Sequence, residues 1–526
     1  MTGAATSGGQ PSASAPAVLL INPRTGATKN AGLPLSIIHL GAALEGRWPW
    51  EIVDGNRETD PVRTALGRLS ARPHALCGIT VMPGPQVITA IALSSAIRKT
   101  FPALPIVWGG YFPTLYPDAA INAPYVDYLV RGQGEETLLE LLAACGRSGA
   151  ADAAAIRGVA GLTWKDGGRI VHNPDRPVIP PSALPQLPYH RIDDLGAYLR
   201  PSFLGRRTAV YQAALGCRYK CGFCGVVSMW NGKTALEAPE RMTLALGTLR
   251  DRWGADAVQF FDHNFFDKED SSIPILEALA RLEMPYWCYA RADTLANFSA
   301  STWEKVRKSR MRMTYVGAEA ASDAVLKSMQ KGTRVEHTFE VARRCRENGI
   351  IPEFSFVLGG PEDPEGEIET TFEFIRKLKT LSPESEIILY FYSPTPQRQR
   401  GAEHRQGGQG GTVGTARLPV LGNYGPTGPA LPTTPEEWTQ PQWISWVCHE
   451  DAPWLTPRTR RRVKDFARVL ACRFPTAQDH RLPRTAKLAL RGLASWRYAT
   501  RIYDHPWELR LARRLVRLRE PQRESI

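Results

Sequence analysis

Short apolar runs separated by amphipathic stretches organise most of this chain. Residues 18–22 (Val-Leu-Leu-Ile-Asn) are almost wholly apolar, and similar runs follow at 51–54, 75–80, 106–108 and 127–131. Helical periodicity fills the gaps, notably over 35–45 and 86–99. Runs of this length read as buried strands, and their alternation with helices predicts an α/β, doubly wound parallel sheet over residues 16–150. Ligands of such sheets sit beyond the carboxyl ends of the strands. Those ends carry Asn22-Pro-Arg-Thr-Gly26, Asp54-Gly-Asn56, Thr80-Val-Met-Pro-Gly84, Gly109-Gly110 and Arg131-Gly132-Gln-Gly134-Glu135. Backbone so poor in side chains lets a large flat ligand lie close.

A connector over 151–200 follows, with a small hairpin predicted at 159–171 and a proline-rich run at 177–188. The alternation then resumes over 201–395, with strands expected at 208–214, 257–261, 286–291, 314–317, 353–358 and 386–392. Residues 396–433 are rich in Gly, Pro, Gln and Arg, the composition of a flexible linker. The last stretch, 434–526, reads as a basic, mostly helical domain with Trp438, Trp443, Trp446, Trp454, Trp496 and Trp507. Residues 1–15 are small and polar, and read as a disordered tail rather than a signal peptide.

Composition narrows the class. Hydrophobic residues make up 43% of the 526 and charged residues 22%, as in globular proteins, and no apolar run is long enough for a membrane span. Nine cysteines, clustered at only one place, fit a reducing cytoplasm better than a disulfide framework. Charge is uneven: residues 451–526 hold 19 Lys+Arg against 7 Asp+Glu, a balance of +12 out of +13 for the whole chain. That asymmetry points to an anionic surface or partner. Over 507–519, Trp507, Leu511, Leu515 and Leu518 share one helical face and Arg510, Arg513, Arg514 and Arg517 another, with Leu509 and Val516 outside the stripe. Two readings stand, a peripheral contact with an anionic membrane or a helix packed on the protein with a solvated basic face. No nucleic-acid motif accompanies the charge, and no nucleic-acid partner is expected.

Cys217, Cys221 and Cys224 carry the chemistry, in Leu215-Gly-Cys-Arg-Tyr-Lys-Cys-Gly-Phe-Cys-Gly225. Three thiolates on one loop, spaced C-x3-C-x2-C, suit three irons of a [4Fe–4S] cube and leave the fourth open. Zinc would want four ligands in paired knuckles, and there is no second C-x2-C. With Phe223 before the last cysteine, the loop resembles the signature of the radical S-adenosylmethionine (SAM) superfamily. The strands of 201–395 then fit that family's partial (β/α)6 barrel.

The resemblance implies SAM at the open iron and assigns residues at successive strand ends. Asp262 and Asn264 stand where the family holds the methionine amino group, although Asp262-His-Asn departs from the common Gly-Gly-Glu. Arg291 would bind SAM's carboxylate, Glu319 its ribose hydroxyls, and Ser355 and Gly359 would pack against ribose and adenine. Helix caps and surface ion pairs remain the alternatives for these residues. His263 is a further candidate for substrate contact, and Cys288 reads as a small buried residue on the third barrel strand.

Residues 17–150 resemble the cobalamin-binding domain that precedes many radical SAM proteins, through Trp108-Gly-Gly-Tyr111, Pro113 and the run 131–136. Thr80, Gly84, Gly109, Gly110, Gly132, Gly134 and Glu135 are its expected cobalamin contacts, with a nucleotide-binding or degenerate Rossmann-like domain as the alternative. The chain has no D-x-H-x-x-G, so the resemblance implies a cobalamin without a protein His ligand. The expected function is cobalamin-dependent C-methylation of an unactivated carbon. A non-methylating oxidation or cyclisation of a tetrapyrrole-like or lipid substrate, or a non-catalytic cobalamin and iron–sulfur sensor, are the alternatives. The partners implied are a small-molecule or lipid substrate and an electron donor of flavodoxin or ferredoxin type.

Overall fold

The computed structural model of the protein describes residues 15–25, 32–146, 152–230, 232–393, 431–450, 452, 454–477 and 483–516. Residues 396–430 of the linker expected over 396–433, nearly all of the expected tail, and Arg517 and Leu518 lie outside the described residues, as do the side chains of Arg513, Leu515 and Val516.

The first sheet runs β2-β1-β3-β4-β5-β6-β7, with β1 at Ala17–Asn22, β2 at Trp50–Asp54, β3 at His74–Thr80, β4 at Ile106–Gly109, β5 at Tyr128–Val130, β6 at Leu162–Asp166 and β7 at Arg169–His172. Strands β1 to β5 pair in parallel, and β6 and β7 add antiparallel. The sheet is therefore mixed rather than wholly parallel, because the hairpin expected within the connector joins its edge. Arg131 holds it there. This buried guanidinium donates to the carbonyls of Leu162 and Asn173, to Thr163 Oγ1 and to Asp175. A buried charge requires such partners, and the hairpin also covers the open edge of β5.

Helices cover both faces. Leu35–Leu44 and Glu135–Cys145 bury Ile37, Leu44, Leu138 and Leu141 on one face; Pro61–Ala71 and Pro85–Thr100 bury Leu69, Val87, Leu93 and Ile97 on the other. Each such side chain stabilises the fold by about 1.5–3 kcal/mol relative to exposure. Trp438, Trp443 and Trp446 complete the second face, with the Trp438 ring 4.1 Å from that of Tyr116. Those tryptophans, read from sequence as domain character, are core of the first sheet.

The second sheet is parallel throughout, in the order β8-β11-β12-β13-β14-β15. Its strands are β8 Thr208–Tyr211, β11 Ala257–Phe260, β12 Tyr286–Arg291, β13 Met311–Glu319, β14 Ile351–Leu358 and β15 Glu386–Phe391. This is the expected six-stranded open barrel, with one difference. The run 208–214 is two strands: after Tyr211 the chain leaves the barrel, and β9 (Ala214–Gly216) pairs antiparallel with β10 (Thr234–Leu236). The three cysteines lie between these paired strands, so the pair clasps the loop at its base.

Helices of the C-terminal segment close the barrel's outside. Phe466, on Pro457–Arg473, stacks on Phe372 of Pro364–Leu381 with ring centroids 3.7 Å apart.

Candidate active site

The cysteine loop leaves β9 at Gly216, whose φ is +74°. A Cβ there would fall 2.2 Å from the Lys233 carbonyl oxygen, so only glycine fits the base of the clasp. Gly222 N–H donates to the Met329 carbonyl at 3.1 Å, fixing the middle of the loop. Cys221 is buried, Cys217 and Cys224 half-buried. Burial pushes the Cys217 thiol up and the Cys224 thiol to about 12; nearby Lys331 opposes this at both, joined by Arg291 at Cys217. Among the described residues no three His, Cys, Asp or Glu side chains are grouped around one ion position. A cube needs no such grouping, since each thiolate meets its own iron.

Two cations brace the loop. Arg291, at the end of β12, lies over the Tyr219 ring at 3.5 Å, and its Nη1 is 3.4 Å from Cys221 Sγ. The guanidinium fork is already engaged: Nε and Nη2 donate to the two Asp293 carboxylate oxygens at 2.9 and 3.0 Å, and Nη2 also donates to the Lys331 carbonyl. In this arrangement the fork expected to meet SAM's carboxylate faces Asp293. A buried guanidinium needs a counter-charge, and Asp293, two residues on, supplies it.

Lys331, which sequence reasoning passed over, is the second cation. Its Nζ donates to Glu319 Oε1 at 2.7 Å and stands 5.7 Å from the Phe223 ring centroid. Both members of the ion pair are about 8% exposed at the side chain. Glu319 has φ of +63°, unusual for a residue with a side chain, at the register shift where β13 meets β14. Ser355 Oγ donates to its Oε2 at 3.4 Å. Gly317 makes the space, since a Cβ there would lie 2.2 Å from Glu319 Oε1. The signal in the sequence was Gln330-Lys-Gly332 directly after a helix; it lacked any motif to single it out.

Asp262 and Asn264 follow β11 and are buried. Asp262 Oδ1 accepts from Ala214 N–H, and Asn264 Nδ2 donates to the Phe266 carbonyl. Their other oxygens, Asp262 Oδ2 and Asn264 Oδ1, have no hydrogen-bond partner. Burial pushes the Asp262 carboxyl up to about 8. Unpartnered buried oxygens call for a donor, and an ammonium group at this strand end would satisfy them. Cys288 is fully buried beside Met311 and Thr314. Gly359 is covered by the C-terminal segment: Trp454 Nε1 donates to its carbonyl at 2.7 Å and a Cβ would meet Leu455 at 3.0 Å.

The first sheet presents its carboxyl ends to this loop. Tyr111, just beyond β4, has its hydroxyl hydrogen-bonded to His263 Nε2, and His263 Nδ1 accepts from Gly216 N–H at 3.1 Å. Because Nδ1 accepts, Nε2 carries the ring proton and donates it to the Tyr111 oxygen. Burial lowers His263 to about 4, so the ring is neutral at pH 7. Gly132 N–H donates to Thr114 Oγ1 at 2.9 Å, and a Cβ on Gly132 would lie 3.7 Å from the Met229 carbonyl in the helix after the cysteines.

The remaining expected cobalamin contacts divide. Thr80, Gly109 and Gly110 lie together at the ends of β3 and β4, where a Gly110 Cβ would meet Thr80 Oγ1 at 3.0 Å. Gly134 sits against Leu40 and Val130, and Glu135 opens the helix Glu135–Cys145 with His39 Nδ1 4.0 Å away. Gly84 faces Val447 and Cys448 of the C-terminal segment instead of an open edge. Beneath these loops lies a scaffold that sequence reasoning missed. Gln86 Nε2 donates to Asn22 Oδ1 at 3.0 Å and to the Pro23 carbonyl at 2.8 Å, Asn22 Nδ2 donates to Asp54 Oδ1 at 2.9 Å, and Tyr198 OH donates to Asp54 Oδ2 at 2.8 Å. These bonds tie the ends of β1 and β2 to the helix Pro85–Thr100 and to Tyr198.

Comparison with known proteins agrees with this division. Residues 23–142 match the B12 binding domain, and residues 211–375 match the Radical SAM superfamily. The chain is 23% identical over 368 residues to an uncharacterized methyltransferase of Pyrococcus horikoshii, covering 69% of this chain and 78% of that one. It is 24% identical over 312 residues to the anaerobic magnesium-protoporphyrin IX monomethyl ester cyclase of Synechocystis, covering 58% of this chain and 59% of the cyclase. Among solved structures, the fold is similar to the radical SAM methyltransferase TsrM of Kitasatospora setae, crystallised with tryptophan and a SAM analog (TM-score 0.57, 21% identity, 72% of each chain). It is also similar to the cobalamin-dependent SAM radical enzyme OxsB with aqua-cobalamin and SAM (TM-score 0.58, 19% identity, 71% of this chain and 53% of that one). The chain thus joins a B12 binding domain to a radical SAM domain, and its cofactors are cobalamin, SAM and a [4Fe–4S] cluster.

Proposed function

We propose that the protein is a cobalamin-dependent radical SAM methyltransferase that methylates an unactivated carbon of a small-molecule substrate. The observation that carries this reading is the hydrogen-bonded chain Tyr111–His263–Gly216, which sets the carboxyl ends of the B12 domain directly against the base of the cysteine loop. When bound, the reduced cluster would supply the electron that splits SAM into methionine and a 5′-deoxyadenosyl radical, and cobalamin would carry a methyl group taken from a second SAM.

The chain's own residues perform the holding. Cys217, Cys221 and Cys224 supply the soft donors, Arg291 and Lys331 compensate their charge, and Asp262 and Asn264 offer unpartnered oxygens to the methionine ammonium. Glu319 keeps accepting capacity on Oε2 for a ribose hydroxyl, since Lys331 engages the other oxygen. This elaboration beyond the cysteine loop argues for turnover over sensing. An external electron donor of flavodoxin or ferredoxin type and a reducing cytoplasm complete the reading.

Anaerobic reconstitution with iron, sulfide and hydroxocobalamin, followed by SAM and a strong reductant, tests it. Both 5′-deoxyadenosine and S-adenosylhomocysteine are expected by mass spectrometry. 5′-Deoxyadenosine alone, with cobalamin bound, would replace methylation by the oxidative chemistry of cyclase-like relatives.

A further inference from the structure

Large apolar side chains that are exposed concentrate at one place. Of the nine such residues in the described part of the chain, six (Leu488, Leu493, Trp496, Ile502, Trp507 and Leu511) fall within 488–511. The helix Arg484–Thr500 carries the pattern most clearly. At 100° per residue, Leu488, Ala489, Gly492, Leu493, Trp496 and Ala499 fall on one face, all are exposed, and no charged residue interrupts them. Its opposite side is anchored: Leu490 and Ala494 are buried, and Arg497 donates to Glu508 and to the carbonyls of Ile502 and Asp504. The apolar stripe is therefore held outward by the packing of the rest of the helix.

Arg484, Lys487 and Arg491 line one border of the stripe, and no ion pair engages them among the described residues. The next helix, Trp507–Val516, packs against this one and repeats the arrangement. Leu509 is fully buried, so Trp507 and Leu511 are turned out at 69% and 54% exposure, with Arg514 exposed beside them, while Arg510 pairs with Asp465. Leu509, which fell outside the stripe read from sequence, is the residue that docks the helix. A solvated basic face alone does not account for two exposed tryptophans beside bare leucines.

We propose that this surface docks the protein on an anionic lipid bilayer. A helix lying in the interface inserts leucine and tryptophan to the depth of the acyl boundary and sets arginines against lipid phosphates. The local balance of +12 over residues 451–526 suits a negative surface. Self-association through the stripe would bring the arginine borders of two copies together, which disfavours a second copy as the occupant. The proposal is independent of the reaction catalysed.

The test is flotation of the full-length, reconstituted protein with vesicles of phosphatidylcholine alone or with 30 mol% phosphatidylglycerol added, roughly a physiological anionic content. Binding to the anionic vesicles, weakened at high salt, is expected, with little binding to neutral ones. Leu493→Ser/Trp496→Ser, at exposed positions that leave the fold intact, should cut the bound fraction about tenfold while SAM cleavage is unchanged. Arg484→Gln/Arg491→Gln should reduce the preference for anionic vesicles. Equal flotation with both vesicle types, undiminished binding of the Leu493/Trp496 variant, or a wild-type dimer that the same variant converts to monomer would each overturn it.

Discussion

His263 accepts a hydrogen bond from Gly216 N–H through Nδ1, and that single bond decides what its other nitrogen does. Nε2 must carry the proton, so the ring donates to Tyr111 across the boundary between the two α/β units. The ring is a strut between the B12 domain and the cysteine loop. His263→Ala removes both contacts and leaves the Gly216 N–H without its acceptor, a loss of about 1–3 kcal/mol. We expect reconstituted iron content to fall modestly and S-adenosylhomocysteine to fall more than 5′-deoxyadenosine. Equal losses of both products would mean that His263 serves the cluster loop alone.

The Glu319–Lys331 pair gives a sharper stability test. Both charges are buried, so Lys331→Met leaves a lone carboxylate and should destabilise the fold by about 3–5 kcal/mol in chemical denaturation. Lys331→Met combined with Glu319→Gln should recover most of that loss. SAM binding, measured by equilibrium dialysis, should stay weaker than in the wild type in the double variant, because glutamine offers the ribose one neutral acceptor in place of a carboxylate.

Asp262 predicts a pH dependence whose sign is fixed. Its carboxyl is raised to about 8 by burial, from an ordinary value near 3.8. Between those values the folded protein holds a proton that the unfolded chain has released, so this group's contribution to stability is full below about pH 4 and is lost as pH rises toward 8. His263, lowered to about 4, works oppositely, and its contribution grows as pH rises from 4 toward 6.5. Asp262→Asn should therefore flatten the decline of denaturation midpoint between pH 6.5 and 8, measured without SAM. An unchanged slope would place the proton elsewhere.

Gly216→Ala should be among the most damaging small substitutions in the chain. It combines a positive φ with a Cβ 2.2 Å from the Lys233 carbonyl. The expected result is loss of most cluster-bound iron and of the broad cluster absorbance, with the helical circular dichroism largely retained.

Much of this was legible in the sequence, and for definite reasons. Strand positions in both sheets follow from apolar runs, and the cysteine spacing carries its chemistry locally. What escaped depends on contacts between distant segments. The split of 208–214 required knowing that β9 would pair with Thr234–Leu236. Arg291 reads from sequence as a contact of SAM's carboxylate or as a surface ion pair, and its pairing with Asp293 in a buried setting depends on packing that the sequence does not display. Lys331 reaches Glu319 from twelve residues away, off a loop without a motif. Trp438, Trp443 and Trp446 looked like the character of a separate domain because nothing near them reveals that their core is the first sheet, some three hundred residues earlier.

The central claim is that both α/β units act on one shared space. Its most direct measurement compares the reconstituted protein with and without cobalamin, in the presence of SAM and reductant, counting S-adenosylhomocysteine and 5′-deoxyadenosine per cluster. The account predicts that S-adenosylhomocysteine forms only with cobalamin bound, while 5′-deoxyadenosine needs the three cysteines and disappears in Cys217→Ala. S-adenosylhomocysteine formed at the same rate without cobalamin would contradict it.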